Sequence, residues 1–207
     1  MCEEALLDAK ILPATPCAIQ IDQFIESYFK CSLDFGTDLG ADVMGFTFFS
    51  PNGAPTVVGV SPTLCDGDKV TNRRVRTTLA HEGGHCLLHP ILFMPDIDNR
   101  SLFGTNVDVQ NRRILCRKQD FESRRYDGRW WEVQANCAIG GFLLPKRLFR
   151  AACEKYLEQV GSLGLREIPA AKREMVSREL ANVFDVNPKV AAIRLENLFP
   201  LSGQPEL

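Results

Sequence analysis

Apolar positions recur at mixed three- and four-residue spacing through Ile19, Ile21, Phe24, Ile25, Tyr28 and Phe29, which predicts a helix with one face toward a core. The Gly- and Asp-rich run 34–42 reads as loop. Residues 43–49 then read as a strand, Ser50 to Pro55 as a turn signalled by Asn52-Gly53, and 56–61 as the return strand of a hairpin. Such a hairpin is either purely structural or an edge that holds a peptide by strand addition. A further helix is expected from Thr71 or Asn72, either able to cap it, to about Leu88, with Pro90 ending it. Arg73, Arg74 and Arg76 on that helix read as a solvated face.

Residues 90–128 have no clean period. They read as an irregular excursion with one short element around Arg113 to Cys116, placed to shape a groove. Trp130-Trp131 open an apolar helix that stops before Leu143-Leu144-Pro145. Residues 146–160 read as an amphipathic helix with Leu148, Phe149, Ala152 and Leu157 inward, broken across 161–169. Met175 to Leu198 reads as helix, short turn, helix, with Asn187 as N-cap and Pro188 in the first helical position. That spacing resembles helix-turn-helix, but Lys189, Arg194 and Asn197 are a thin set for reading DNA, which favours a structural role.

Composition narrows the class. The 207 residues suit one domain or one domain with a small appendage, 45% hydrophobic and 24% charged. A net charge of −2 gives no global case for nucleic-acid binding. The acidic start, Met1 to Asp8, is not a secretory signal, and no apolar run is long enough for a bilayer, so a cytoplasmic location is expected. None of the eight cysteines forms C-x-x-C, so reduced and mostly buried thiols are expected. Cys86 and Cys137 lie close in sequence to the chemistry below, but neighbouring helix positions point elsewhere and neither reads as a ligand.

That chemistry is His81-Glu82-Gly83-Gly84-His85, an H-E-x-x-H motif. Residues four apart on a helix share a face, so His81 and His85 can grip one ion. Glu82, about 100° around the helix, can hold a water beside it. All three histidines of the chain fall at 81, 85 and 89. Adjacent glycines cost about 1 kcal/mol each in a helix interior, so something must approach the backbone closely there. Zinc suits such a site, with three protein ligands and one open position.

Two histidines leave the third ligand open. The H-E-x-x-H-x-x-G-x-x-H class is excluded, because Leu88 and Ile91 stand where its Gly and His belong. His89 drifts off the His81 face and reads as a hydrogen-bond partner or a helix-end residue. Glu132 is the best candidate, because an uncompensated carboxylate on the tryptophan-led apolar helix would be costly. Asn136 shares its face, and Glu122 is the rival.

Together these residues resemble the ImmA/IrrE family of metallo-endopeptidases. That family carries H-E-x-G-H-x-x-x-H, matched by His81 to His85 with His89. It also carries E-x-x-A-N-x-F-A-x-x-L-L-x-P, matched at Glu132, Ala135, Asn136, Leu143 and Pro145, with Phe142 and Leu144 as apolar variants. Ala138-Ile139 replace the family's Phe-Ala.

The resemblance implies an α+β, minimal zincin-like fold. Its active-site helix would pack on a small, mainly antiparallel sheet, with residues 1–150 as the metallopeptidase domain and 151–207 as a helix-turn-helix-like helical segment. It implies Zn2+ held by His81, His85 and Glu132, with Glu82 as general base. It further implies cleavage of a protein substrate, a helix-turn-helix transcriptional repressor of a stress-response or mobile-element circuit. Tyr126 and Arg124, Arg125 and Arg129 are the candidates to steady the oxyanion. The competing reading is a non-catalytic, metal-containing regulator that binds a repressor or DNA through its C-terminal helices.

Overall fold

The computed structural model describes residues 1–65, 67–93, 107–108, 112–118, 128–160 and 165–201. In chain order the helices are α1 (Cys2–Asp8), α2 (Ile21–Phe29), α3 (Lys69–Leu88), α4 (Trp130–Leu143), α5 (Lys146–Cys153), α6 (Arg173–Phe184) and α7 (Pro188–Leu198). The strands are β1 (Ser32–Asp34), β2 (Val43–Phe49), β3 (Pro55–Val60), β4 (Val107–Asp108), β5 (Arg113–Arg117), β6 (Glu158–Val160) and β7 (Leu165–Glu167). Five strands form one sheet in the order β1-β3-β2-β5-β4, and β6-β7 form a separate ribbon. Only β1-β3 is parallel in the main sheet. This is the α+β architecture expected of a minimal zincin-like fold, with α3 laid on a mainly antiparallel sheet and helices closing the chain.

The β2-β3 hairpin forms where its alternation and Asn-Gly turn place it. Neither of its strands is an edge, however. β1 covers β3 and β5 covers β2, so the hairpin has no open side for strand addition. Two elements carried too little periodicity to be read. α1 is seven residues long with only Ala5 and Leu6 buried, and β1 is three residues long. The short element expected around Arg113 is β5. The helix expected over 146–160 stops at Cys153. After a 3₁₀ turn the chain turns extended as β6, so Leu157 lies between elements, half-buried.

α3 begins earlier than its threonine and asparagine suggested. Asp68 is the N-cap, and its carboxylate accepts from the Thr71 amide at 2.6 Å. The arginine face is also corrected. Arg74 is exposed, but Arg73 is buried and Arg76 half-buried. Arg73 donates to Asp185, Asn182 Oδ1 and the Ala181 carbonyl; Arg76 donates to the Asp185 and Ile19 carbonyls. These fork-shaped guanidinium groups tie α3 to the C-terminal end of α6 and to the residue pair preceding α2.

The main core runs from Ile21, Phe24 and Ile25 of α2 through Leu79 and Ala80 of α3 to Phe142, Phe149, Leu180 and Phe184. Residues on both sides of position 150 share it. Asn187 caps α7 as expected, accepting from the Lys189 amide, with Pro188 first in the helix. Arg194 turns inward and donates to the Leu144 carbonyl at 3.0 Å, and Arg173 pairs with Glu196.

Candidate metal centre

α3 and α4 pack side by side, and the reason is a missing methyl group. A Cβ on Gly84 would stand 2.8 Å from Ala138 Cβ and 3.0 Å from Ala135 Cα, too close for either to tolerate. Gly83 differs, since its nearest neighbours would be ordinary contacts at 3.6–3.7 Å. The close approach inferred from the paired glycines therefore belongs to Gly84. It brings Glu132, in the first turn of α4, against His81 and His85 in the last turns of α3.

His81 Nε2 lies 3.1 Å from Glu132 Oε2 and 3.0 Å from His85 Nε2, and His85 Nε2 lies 3.7 Å from the same carboxylate oxygen. Both histidines are fully buried and Glu132 is nearly so. The surrounding bonds set the tautomers. His81 Nδ1–H donates to Asn136 Oδ1 at 3.1 Å. His89 Nε2–H donates to Gln134 Oε1 at 3.1 Å, which leaves His89 Nδ1 to accept from His85 Nδ1–H at 2.9 Å. Both facing Nε2 atoms then present lone pairs, as does the carboxylate. Three buried acceptors pointed at one spot repel one another unless a cation stands between them. Ligand atoms on one tetrahedral zinc, with bonds near 2.0–2.1 Å, lie about 3.3 Å apart. The donor set and its spacing fit a metal ion, and His81, His85 and Glu132 can hold one.

A proton competes with a cation for the same atoms, and the close packing shifts where it is held. Burial works against protonation of His81, yet the Glu132 and Glu82 carboxylates outweigh it and raise its pKa. Burial likewise opposes ionisation of Glu132, but the close His81 and His85 rings bring its pKa well below the usual carboxylate range. His89 goes the other way, pushed down to about 3 by burial and by His85, and stays neutral.

Glu82 points from α3 toward the sheet. Thr47 of β2 donates from Oγ1 to Glu82 Oε2 at 2.6 Å, and both residues are fully buried. Gly45, one residue pair along the strand, leaves the space, since a Cβ there would stand 2.7 Å from Glu82 Oε1. Neither Thr47 nor Gly45 carries a motif that flags this role; only strand pairing places them. Cys116 of β5 was equally silent in the sequence, yet its sulfur lies within 4.8 Å of a His81 nitrogen and a Glu82 oxygen. Cys137 is exposed, and the Cys86 thiol lies against Cys31 and Thr47.

The positions of Glu122, Arg124, Arg125 and Tyr126 lie outside the described residues, while Arg129 is the N-cap residue of α4. Among the described residues no helix is long and apolar enough to cross a membrane. No family model and no curated protein matches the chain.

Proposed function

We propose that the chain is a zinc-dependent endopeptidase of the ImmA/IrrE type, acting on a protein substrate. The observation that carries this reading is the pairing of three buried, converging ligand atoms with a fourth group, Glu82, anchored beside them by Thr47. Two imidazoles and one carboxylate are the ligand set of hydrolytic zinc sites that keep a position open. Zinc held there would polarise a peptide carbonyl and make a water acidic near neutral pH.

The chain's own residues supply the rest. Asn136 and the His89–Gln134 relay hold the two ligand imidazoles in the tautomer that offers Nε2. Glu82 takes the proton of the attacking water and returns it to the departing amide nitrogen. The Thr47 hydroxyl restricts rotation of that carboxylate, so it enters the reaction already oriented. The substrate class follows from the sequence resemblance: a helix-turn-helix repressor of stress-response or mobile-element genes. Direct DNA binding is disfavoured because Arg194 and Arg173 are spent on Leu144 and Glu196.

The test is incubation of the zinc-loaded protein with any helix-turn-helix repressor encoded beside its gene, with fragments mapped by mass spectrometry. Glu82→Gln should retain one zinc per chain and lose cleavage by at least about 100-fold. A variant that cut as fast as the parent would remove Glu82 from the mechanism. Intact repressor after incubation with loaded parent protein would count against the repressor assignment.

A further inference from the structure

Side chains from three helices meet on one face of α4, outside the metal centre. Cys137, Gly140 and Gly141 stand three and four residues apart, so they share that face. The two glycines leave room that other helices fill. A Cβ on Gly141 would stand 2.8 Å from Cys2 Sγ and 2.9 Å from Cys2 Cβ. One on Gly140 would meet Arg194 Cδ at 3.4 Å, with Nε and Nη1 at 3.8 Å. α1 therefore lays a thiol where a side chain of residue 141 would be, and α7 lays a guanidinium over residue 140. The bond from Arg194 Nε to the Leu144 carbonyl holds that guanidinium in place.

The Cys2 thiol and Cys137 are thus neighbours in the manner of side chains one helical turn apart, about 5–6 Å between Cβ atoms. Bonded cysteines keep their Cβ atoms about 3.5–4.5 Å apart, so closing the pair asks for a shift on the order of 2 Å. α1 can give it, because it is seven residues long with only Ala5 and Leu6 buried. Cys137 is exposed and Cys2 half-buried, so a reagent from solvent reaches Cys137 first. Arg194 lies close enough to interact with both sulfurs. A cation beside an accessible thiol is the setting in which cysteines react with oxidants. Burial raises the pKa of Cys2 against the pull of the N-terminal ammonium and Arg194, which suits it to the second, resolving role.

We propose that Cys137 and Cys2 form a peroxide-sensitive modification site, in which oxidation of Cys137 ends in a disulfide that ties α1 to α4. This stands independently of the metal reading. First, the Cys137 sulfur attacks one oxygen of hydrogen peroxide. The O–O bond breaks, the S–O bond of a sulfenic acid forms, and the other oxygen leaves as water with the thiol's proton. Second, the Cys2 sulfur attacks the Cys137 sulfur. The S–O bond breaks, and the departing hydroxide takes the Cys2 proton and leaves as a second water. Two thiols give up two electrons, and one peroxide becomes two waters. A thiol reductant restores both residues by exchange. The bond fastens α1 to the helix that carries Glu132 and Asn136.

The experiment is exposure of the reduced full chain to a small excess of hydrogen peroxide, followed by alkylation of free thiols and tryptic mapping by mass spectrometry. Trypsin releases Cys2 within residues 1–10 and Cys137 within residues 130–146, each peptide carrying one cysteine. The two peptides should appear joined with the loss of two hydrogens, in a chain that runs as a monomer on a non-reducing gel. Dithiothreitol should separate them. Cys2→Ser should lose the crosslink and leave Cys137 as a sulfenic acid that dimedone traps, while Cys137→Ser should leave Cys2 unmodified. Both peptides alkylated after peroxide treatment would overturn the proposal. So would a Cys137 peptide joined to its own copy or to another cysteine, or Cys137 carried to the sulfinic acid in the parent while Cys2 stays free.

Discussion

The guanidinium of Arg73 meets the carboxylate of Asp185 at 3.0 Å, tying α3 to the turn between the last two helices. Arg73 also satisfies Ala181 and Asn182, so one side chain holds three groups. Arg73→Ala should lower stability by about 2–3 kcal/mol, less than a fully buried pair because Asp185 is 39% exposed. Asp185 has φ +50°, a conformation asparagine tolerates and alanine resists. Asp185→Asn should therefore cost less than Asp185→Ala in urea denaturation of the full chain, and equal losses would contradict this account of the turn.

The paired glycines should behave oppositely. Gly84→Ala drives a methyl into Ala138 and the Ala135 backbone. It should destabilise the protein by about 1–3 kcal/mol and, by parting α3 from α4, reduce bound metal. Gly83→Ala meets only ordinary contacts and should gain up to about 1 kcal/mol from helix propensity. Thermal melts with elemental analysis of both variants check the pair.

Ligand and support should separate in metal affinity. Glu132→Ala should weaken binding by more than about 100-fold, and Asn136→Ala, which only frees the His81 ring, by about 10- to 100-fold. Competition against a chromophoric chelator measures both. Zinc content unchanged by Glu132→Ala would remove that residue from the ligand set.

Stability of the metal-free protein should peak near pH 6.5. Below that value the unfolded chain binds a proton at residue 89 that the folded chain refuses until about pH 3, so stability falls as pH drops through this window. His81 has the opposite sign. Its folded pKa is raised, so its contribution is complete below about 6.5 and is lost as pH rises through the folded value. Saturating zinc, which binds only the neutral imidazoles, should reverse the alkaline limb. Chemical denaturation across pH, with and without metal, reads both limbs, and His89→Gln should flatten the acid one.

The sequence by itself determined whatever is local. Residues four apart on a helix share a face whatever surrounds them, so His81 and His85 were legible as a pair, with His89 as their hydrogen-bonded neighbour. The Asn52-Gly53 hairpin and the Asn187-Pro188 helix start follow from backbone preferences within a few residues, and both form. The third ligand was only a choice between Glu132 and Glu122, because the long intervening chain carries no information about which acid returns. The packing of Gly84 against Ala135 and Ala138 brings Glu132 back to the two histidines, while Glu122 lies outside the described residues. Tertiary structure also decided the fate of Arg73 and Arg76, which look solvated on a helical wheel until Asp185 arrives from over a hundred residues away. Thr47, Gly45 and Cys116 belong to the site only through sheet register, a long-range pairing that alternation can suggest for each strand but cannot assign between them.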